Sequence, residues 1–156
     1  MIQGRLVNVR KLRTNDIPHL VKWFQDSNIS GYYDRFPLKR SWEVERDINH
    51  QMNSINSLNF IIENKKAEPL GLCYLSRINW INRNAEIHIL IGDSTKRGLM
   101  FGAEAELHVL MYSFQSLNLH KVYARIISYA TSAEKLVKDV GFVLEATAKN
   151  KYYQNG

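Results

Sequence analysis

The chain has 156 residues, of which 45% are hydrophobic and 23% charged, a balance typical of one folded domain rather than a disordered chain. No apolar run approaches the roughly 20 residues of a membrane-spanning helix. The polar start of the chain lacks the apolar core of a secretory signal, and the single cysteine, Cys73, excludes an internal disulfide or a cysteine-based metal cluster. The net charge of +6 either favours polyanionic partners or reflects only a solvated basic surface. The basic residues are not clustered among aromatic ones, which argues against a nucleic-acid-binding surface. We therefore expect a cytoplasmic protein that binds neither nucleic acid nor membrane.

The first third of the chain predicts a strand followed by two helices. Residues 6–12 alternate apolar and polar side chains, which indicates a strand. Thr14 or Asn15 is then expected to cap a helix that has Pro18 in its first turns, and Ser41 to cap the second helix. The segment SNISGYYDRFPLK between the helices breaks the helical period and is predicted to be a loop.

The middle of the chain changes to a strand period and predicts an antiparallel meander over residues 58–92. Its strands are LNFIIEN, PLGLCYLSRINW and AEIHILIG. The turns KKAEP and NRN join them, since asparagine tolerates the left-handed conformations that tight turns require.

The stretch KRGLMFGAEAE, residues 96–106, places two glycines just ahead of a long predicted helix. Such glycines either let backbone N–H groups close around a phosphate or form an ordinary turn. The helix is expected to bury one apolar face, made of Ala103, Leu107, Leu110, Met111, Phe114 and Leu117. A strand (KVYARII), a helix (SAEKLVKDV) and a final strand (FVLEATAKNKYY) follow. This crossover implies that the strands over residues 85–91 and 121–127 run parallel.

With PLGLCYLSRINWINRNAEIHILIGD, RGLMFGAEA and LNLHKVYARI…KLVKDVGF in this order, the chain resembles the GNAT superfamily of acyl-CoA N-acyltransferases. It looks most like the branch of ribosomal-protein N-terminal and spermidine acetyltransferases, whose loop motif is matched by Arg97, Gly98, Gly102, Glu104 and Ala105. The resemblance implies a single domain over residues 1–156. The implied fold is α/β (α+β), with a mixed, mostly antiparallel sheet that contains a splayed parallel strand pair and has helices on both faces.

The resemblance also implies an activity. Members of the superfamily transfer an acetyl group from acetyl-CoA by direct attack of a primary amine on the thioester, and no metal is expected. The cofactor would contact the glycine loop and the helix start, made of Arg97, Gly98, Leu99, Met100, Phe101, Gly102 and Ala103, where unpaired N–H groups and the helix dipole favour phosphate. Backbone donors for the oxyanion would come from the splayed strand, at Ile89, Leu90 and Ile91.

Glu86 and His88 are the candidate catalytic residues, and their spacing places both side chains on one face of a strand. A glutamate is common at the first position in the resembling branch, so we assign Glu86 as an amine binder or water-mediated base. The alternative is an ion pair with Arg77 or Arg83 across the hairpin. His88 can transfer protons near neutral pH, or it is a half-buried structural histidine.

The loop between the first two helices covers the acceptor pocket in the superfamily, so Tyr32, Tyr33 and Phe36 are assigned to substrate contact. The alternative is a loop that its own aromatic residues hold in place. Its segment YYDRFPLKR contains one acid and three bases, which argues against a polyamine. An acceptor with phosphate or carboxylate fits better, such as an amino-sugar nucleotide, an amino-acid-like metabolite or a protein N-terminus. A homodimer is left open.

Three residues depart from the family pattern. Met100 stands at the middle glycine of the loop motif, and Ala130 replaces an asparagine that contacts the cofactor in many relatives. Val137 replaces a tyrosine that can protonate the thiolate, for which Tyr129 is a substitute candidate. These changes motivate an alternative function, a catalytically weakened coenzyme A-binding module or subunit. Relatives continue after NG into one more strand, so an edge strand is lacking, a partner supplies it, or the sequence is truncated.

Overall fold

The computed structural model describes residues 1–26, 29, 40–97 and 100–151. Its strands are β1 (Ile2–Gln3), β2 (Asn8–Lys11), β3 (Leu58–Glu63), β4 (Pro69–Asn79), β5 (Asn84–Ile91) and β6 (Lys121–Tyr123). The α-helices are α1 (Ile17–Gln25), α2 (Ser41–Met52), α3 (Phe101–Gln115) and α4 (Thr131–Asp139), with short 3-10 helices at Thr14–Asp16 and Ser94–Lys96. Within these described ranges, no helix is long and apolar enough to cross a membrane.

The six strands form one sheet whose spatial order, β1-β2-β3-β4-β5-β6, is also their order in the chain. The first five strands pair antiparallel with their neighbours, as the meander predicts. β5 and β6 pair in parallel, because α3 carries the chain back across the sheet between them. The predicted mixed sheet with one parallel pair is therefore confirmed.

Helices cover both faces of the sheet, because side chains on each strand alternate between them. Ile61 packs in one buried cluster with residues of α1 and α2. Its neighbour Ile62 packs in a second cluster with α3, and the segment after α4 contributes Val140 and Phe142 to that cluster. Every second residue of β5 thus faces α1 and α2, and the residues between face α3.

The buried face of α3 differs from the predicted one. The residues that α3 buries are Gly102, Ala105, Glu106, Val109, Leu110 and Ser113. Leu107, Met111 and Phe114, which were expected in the core, are exposed. α3 carries apolar residues around most of its circumference, so its periodicity does not select one face. The small residues Gly102 and Ala105 mark the side on which the helix meets the sheet.

Both N-terminal helices begin close to their predicted starts, but with different end residues. Thr14–Asp16 form a 3-10 turn, so α1 begins after it with Pro18 in its first turn. Ser41 is the first residue of α2 and not its cap. The carboxylate of Glu43 instead accepts the N–H of Arg40 at 2.7 Å, which closes the start of that helix.

The predicted final strand is not found in the described part of the C-terminal region. Residues 142–151 contain no strand, and β6 covers only the first three residues of its predicted span. Val143 and Leu144 are exposed. An ion pair between Lys121 and Glu145 at 2.6 Å nevertheless holds this segment beside β6. The segment has the composition of a strand, but no neighbouring strand pairs with it in the described residues.

Candidate active site

The splayed strand lies at the centre of the candidate site. β5 pairs with β4 along its length, up to the pair Gly71 and Ile91. Its parallel pairing with β6 covers three residue pairs and ends at Glu86 and Tyr123. No pairing of β5 with β6 is found beyond that point in the described part of the chain, so Ile89, Leu90 and Ile91 lie where the two strands have separated. Their expected role as backbone donors stays a prediction.

The helix after the glycine loop begins at an unusual residue. Met100 has a φ of 42°, in the left-handed region that favours glycine. A glycine at this motif position would adopt this conformation without strain, whereas methionine does so at a cost of about 1 kcal/mol. The Met100 side chain is 68% exposed. The possibility that this side chain narrows the approach to the pyrophosphate stays a prediction.

The first turn of α3 is suited to bind phosphate. Its hydrogen-bonded ladder begins with the N–H of Glu104, which donates to the carbonyl of Met100 at 3.0 Å. The N–H groups of Phe101, Gly102 and Ala103 precede that bond and lie at the positive end of the helix dipole. Coenzyme A carries a pyrophosphate, and this is the group that such donors bind. The residues present therefore fit the predicted cofactor, and their contact with it stays a prediction.

Gly102 brings this helix start close to β5. A Cβ atom at Gly102 would lie 3.0 Å from Cδ1 of Leu136 on α4, and 3.6 and 3.7 Å from side-chain atoms of Ile89 and Ile91. The glycine thus allows a close approach between helix and strand, and any larger residue must move its neighbours. Helix start and splayed strand are adjacent for this reason.

Arg97 joins the end of β5 to the glycine loop. Its Nε donates to the carbonyl of Ile91 at 3.0 Å, and Nη2 donates to the carbonyl of Gly92 at 3.4 Å. The same Nη2 lies 3.6 Å from a carboxylate oxygen of Asp26, which follows α1. The guanidinium is thus engaged with the protein, and the predicted contact of Arg97 with the cofactor is not tested. Gly98 and Leu99 lie outside the described residues.

Glu86 is a buried carboxylate surrounded by cationic side chains. It is 1% exposed, and its Oε1 accepts a hydrogen bond from Nε of Arg125 at 2.6 Å. Its Oε2 lies 3.6 Å from Nη1 of Arg77. The ion pair with Arg77 was the alternative expected from the hairpin, and the structure contains it. Arg125 was missed, although it follows Tyr123, the parallel partner of Glu86, by two residues and therefore shares its face.

His88 lies beside Glu86, as the alternation along the strand predicts. Its Nε2 is 3.6 Å from Oε1 of Glu86 and 2.9 Å from Oγ of Ser76, with which it forms a hydrogen bond. Its ring stacks on Tyr74, with centroids 4.4 Å apart and planes 8° from parallel. Sequence reasoning missed both partners. The hairpin register would have found them, because Tyr74 pairs with His88 and Ser76 with Glu86. The catalytic roles of Glu86 and His88 stay predictions.

The other predicted positions fall into three groups. Tyr32, Tyr33 and Phe36 lie outside the described residues. Cys73 is buried in β4, and desolvation together with the charge of Glu106 raises the pKa of its thiol well above the usual range, as suits a core residue. Asp93 accepts hydrogen bonds from the backbone N–H and the hydroxyl of Thr95, as a turn residue does. Over the described ranges, no group of three or more histidine, cysteine and acidic residues could hold a metal ion.

Two of the positions that depart from the family pattern are buried. Ala130 is buried at the N-terminal end of α4, and Val137 is buried within that helix. Tyr129, the substitute candidate for the missing acid, is half exposed. Its role as the acid stays a prediction.

Comparison with known proteins assigns the family. Residues 7–143 match the model of the acetyltransferase (GNAT) domain. The chain is 29% identical over 150 residues to the spermidine N(1)-acetyltransferase of Vibrio cholerae, covering 96% of this chain and 86% of the relative. It is 23% identical to the spermidine N(1)-acetyltransferase of Escherichia coli K12, covering 100% of this chain and 83% of the relative.

A solved structure shows the same fold. The crystal structure of spermidine N-acetyltransferase from Vibrio cholerae in complex with CoA and spermine superposes with a TM-score of 0.90 at 28% identity, covering 98% of this chain and 90% of that one. The predicted fold and the predicted enzyme class are both confirmed. The chain belongs to the GNAT acetyltransferase family and is an acyl-CoA-dependent N-acetyltransferase.

Proposed function

We propose that this enzyme acetylates a primary amine on an acceptor that also bears a phosphate or a carboxylate, with acetyl-CoA as the acetyl donor. Suitable acceptors are an amino-sugar nucleotide, an amino-acid-like metabolite or a protein N-terminus. The observation that carries the proposal is the neutralisation of Glu86 by Arg125 and Arg77. Glu86 is the acidic residue that was expected to bind the acceptor amine.

The arrangement around Glu86 disfavours a polycation. Glu86 pairs with Arg125 through Oε1 and lies 3.6 Å from Arg77 through Oε2, which accepts no hydrogen bond from the described residues. An incoming ammonium group would therefore have to compete with two guanidinium charges for this carboxylate. Arg77 is 63% exposed, and its φ of 52° lies at an irregularity where the β4–β5 register shifts between Ser76 and Asn79. That irregularity directs the arginine toward Glu86. An acceptor with several ammonium groups would meet cationic charge here, whereas an anionic group would be attracted.

The charge of the sequence agrees with this preference. The loop segment YYDRFPLKR has one acid and three bases, and the whole chain has a net charge of +6. An enzyme that binds a polyamine needs acidic side chains to compensate the charge of its substrate. The segment that covers the acceptor pocket in the family does not supply them here.

His88 and Ser76 offer a route for the proton that leaves the attacking amine. The 2.9 Å hydrogen bond between them connects an imidazole nitrogen to a hydroxyl that can pass a proton in either direction. Glu86 lies close enough to stabilise a positive charge on the imidazole, and the stacking on Tyr74 fixes the ring plane. In this proposal His88 accepts the proton, directly or through one water, and Glu86 orients it.

An acceptor panel tests the proposal. Thiol release from acetyl-CoA is measured with spermidine, an amino-sugar nucleotide, free amino acids and a peptide with a free N-terminus. We expect kcat/KM to be highest for an anionic acceptor and Arg77→Gln to raise its KM about tenfold, the loss expected for one charge-assisted contact. Arg46→Gln, an exposed arginine on α2 paired with Asp47, is the matched control and should leave KM unchanged.

A polyamine acceptor is the second candidate, because the similar enzymes from Vibrio cholerae and Escherichia coli are named spermidine N(1)-acetyltransferases. A kcat/KM for spermidine that exceeds that of every anionic acceptor would overturn the proposal in its favour. In that case Arg77→Gln should improve activity, because it removes a positive charge near a cationic substrate.

A further inference from the structure

Glu104, in the first turn of α3, binds a distant segment of the backbone. Its Oε1 accepts the N–H of Arg5 at 2.7 Å, and its Oε2 accepts the N–H groups of Leu6 and Val7, each at 2.7 Å. These three successive N–H groups form the turn between β1 and β2, a concave arrangement that typically binds an anion. Although desolvation acts in the opposite direction, these hydrogen bonds lower the pKa of Glu104, so the carboxylate is ionised at neutral pH.

The turn is packed against the same face of α3. A Cβ atom at Gly4 would lie 2.9 Å from Cδ of Glu104 and would collide with the ring of His108, one helical turn further on. On its other side, Lys65 donates hydrogen bonds to the carbonyl of Gly4 and, at 3.0 Å, to Oδ1 of Asn8. The β1–β2 turn is thus held between the β3–β4 turn and the start of α3.

This use of an acidic residue at a helix start is unusual. A carboxylate in the first turn ordinarily accepts N–H groups of its own helix. Both oxygens of Glu104 are occupied by another segment, so they leave the N–H groups of Phe101, Gly102 and Ala103 to an external ligand. The three donors also compensate a negative charge that would otherwise repel phosphate a few residues away.

We propose that Glu104 is a positioning residue for coenzyme A, because its carboxylate anchors the start of α3 to the β1–β2 turn. The inference rests on the acetyl-CoA site proposed at this helix start. The helix rises 1.5 Å per residue, so a small axial shift or rotation would move the first-turn N–H groups out of reach of the pyrophosphate. Glu104 acts through the backbone of α3 and touches neither acceptor nor acetyl group.

Hydrogen exchange on the unmodified protein provides the first test. Amide exchange is followed by mass spectrometry with and without saturating coenzyme A. We expect coenzyme A to slow exchange at residues 100–106 and also at residues 5–7, because the Glu104 hydrogen bonds join these two segments and ordering one of them orders the other. Slower exchange at residues 100–106 with unchanged exchange at residues 5–7 would overturn the positioning role. Unchanged exchange in both segments would refute the coenzyme A site itself.

The second test compares two substitutions, each of which removes a carboxylate that accepts three hydrogen bonds from N–H groups. Glu104→Gln keeps the size of the side chain, but the NH2 group of its amide would face backbone N–H groups of the β1–β2 turn, with which it cannot form a hydrogen bond. Asp16→Asn is the matched control, since Asp16 accepts two N–H groups of Arg10 at 2.7 Å and the N–H of Arg13 at 2.8 Å. Both variants should lower Tm. Only Glu104→Gln should raise the Kd of coenzyme A, by about tenfold, with kcat at saturating acetyl-CoA within about twofold of wild type.

Equal coenzyme A affinity in Glu104→Gln and Asp16→Asn would show that Glu104 serves stability alone. Equal loss of kcat and affinity in Glu104→Gln would also overturn the proposal, because a positioning residue for the cofactor changes binding more than the chemical step. Failure of wild type to bind coenzyme A is a separate outcome and contradicts the proposed function instead.

Discussion

We expect the free energy of unfolding to depend on pH through the buried Glu106, and one substitution should abolish this dependence. It lies 1% exposed on the sheet-facing side of α3, and its Oε2 is buried without a hydrogen-bond partner in the described residues. Burial raises the pKa of Glu106 from 4.5 to about 7, because desolvation disfavours the charged carboxylate. The substitution Glu106→Gln removes this titration and keeps the shape of the side chain.

The sign and size of the effect follow from linkage. The folded protein binds the Glu106 proton more tightly than the unfolded chain, so stability is greatest below pH 4.5 and falls as the pH rises. The loss continues up to about pH 7 and then levels off. Each unit of pKa difference corresponds to about 1.4 kcal/mol, so Glu106 lowers the free energy of unfolding by roughly 3 kcal/mol across this window.

Urea unfolding at pH 5, 6, 7 and 8 measures this loss as a difference between wild type and Glu106→Gln. The difference cancels the titration of all other groups, and burial of the glutamine amide adds only a constant offset. We expect wild type to lose roughly 2 to 3 kcal/mol relative to the variant between pH 5 and pH 8. Glu145→Gln, at an exposed surface position, is the control and should follow wild type. A difference that stays constant within about 0.5 kcal/mol over this range would refute the reasoning.

Substitutions at four further positions have defined outcomes. Met100→Gly should be more stable to urea than Met100→Ala by roughly 1 kcal/mol, because only glycine adopts the left-handed conformation of residue 100 without strain; equal stabilities would contradict that conformation. Gly92→Ala should destabilise by about 1–3 kcal/mol, since its Cβ would collide with the buried Trp23 ring; a loss of less than about 0.5 kcal/mol would show that Trp23 can move. His88→Ala should lower kcat by about 100-fold or more, and Ser76→Ala by less, in pre-steady-state acetyl transfer; an unchanged kcat in both would exclude the proposed proton route.

Local sequence patterns predicted the elements that clear turn signals separate. The apolar runs of β3, β4 and β5, joined by the turns KKAEP and NRN, define a meander, and the crossover after them required a parallel pair. The resemblance placed Gly102 at the start of the long helix, and the structure has it in the first turn of α3. These predictions held because each depends on neighbouring residues and on chain connectivity, both of which are visible in the sequence.

The predictions that failed depend on contacts between distant segments. The buried face of α3 includes Glu106 and Ser113, which no hydrophobic pattern selects, because the helix orientation is set by close packing at Gly102. Arg125 reaches Glu86 only through the three-residue register of β5 with β6. The anchor at Glu104 joins residues nearly one hundred positions apart. A single sequence carries no direct signal for such pairs.

The three-residue pairing between β5 and β6 has a consequence for how the molecule opens. β6 is attached to the sheet by this parallel contact, whereas β2 to β5 are joined by ladders of at least four residue pairs. We expect the C-terminal unit of β6 and α4 to open at a lower free energy than the meander. Coenzyme A would bind at the boundary of this unit. The cofactor would therefore act as a clasp that protects this short contact against opening.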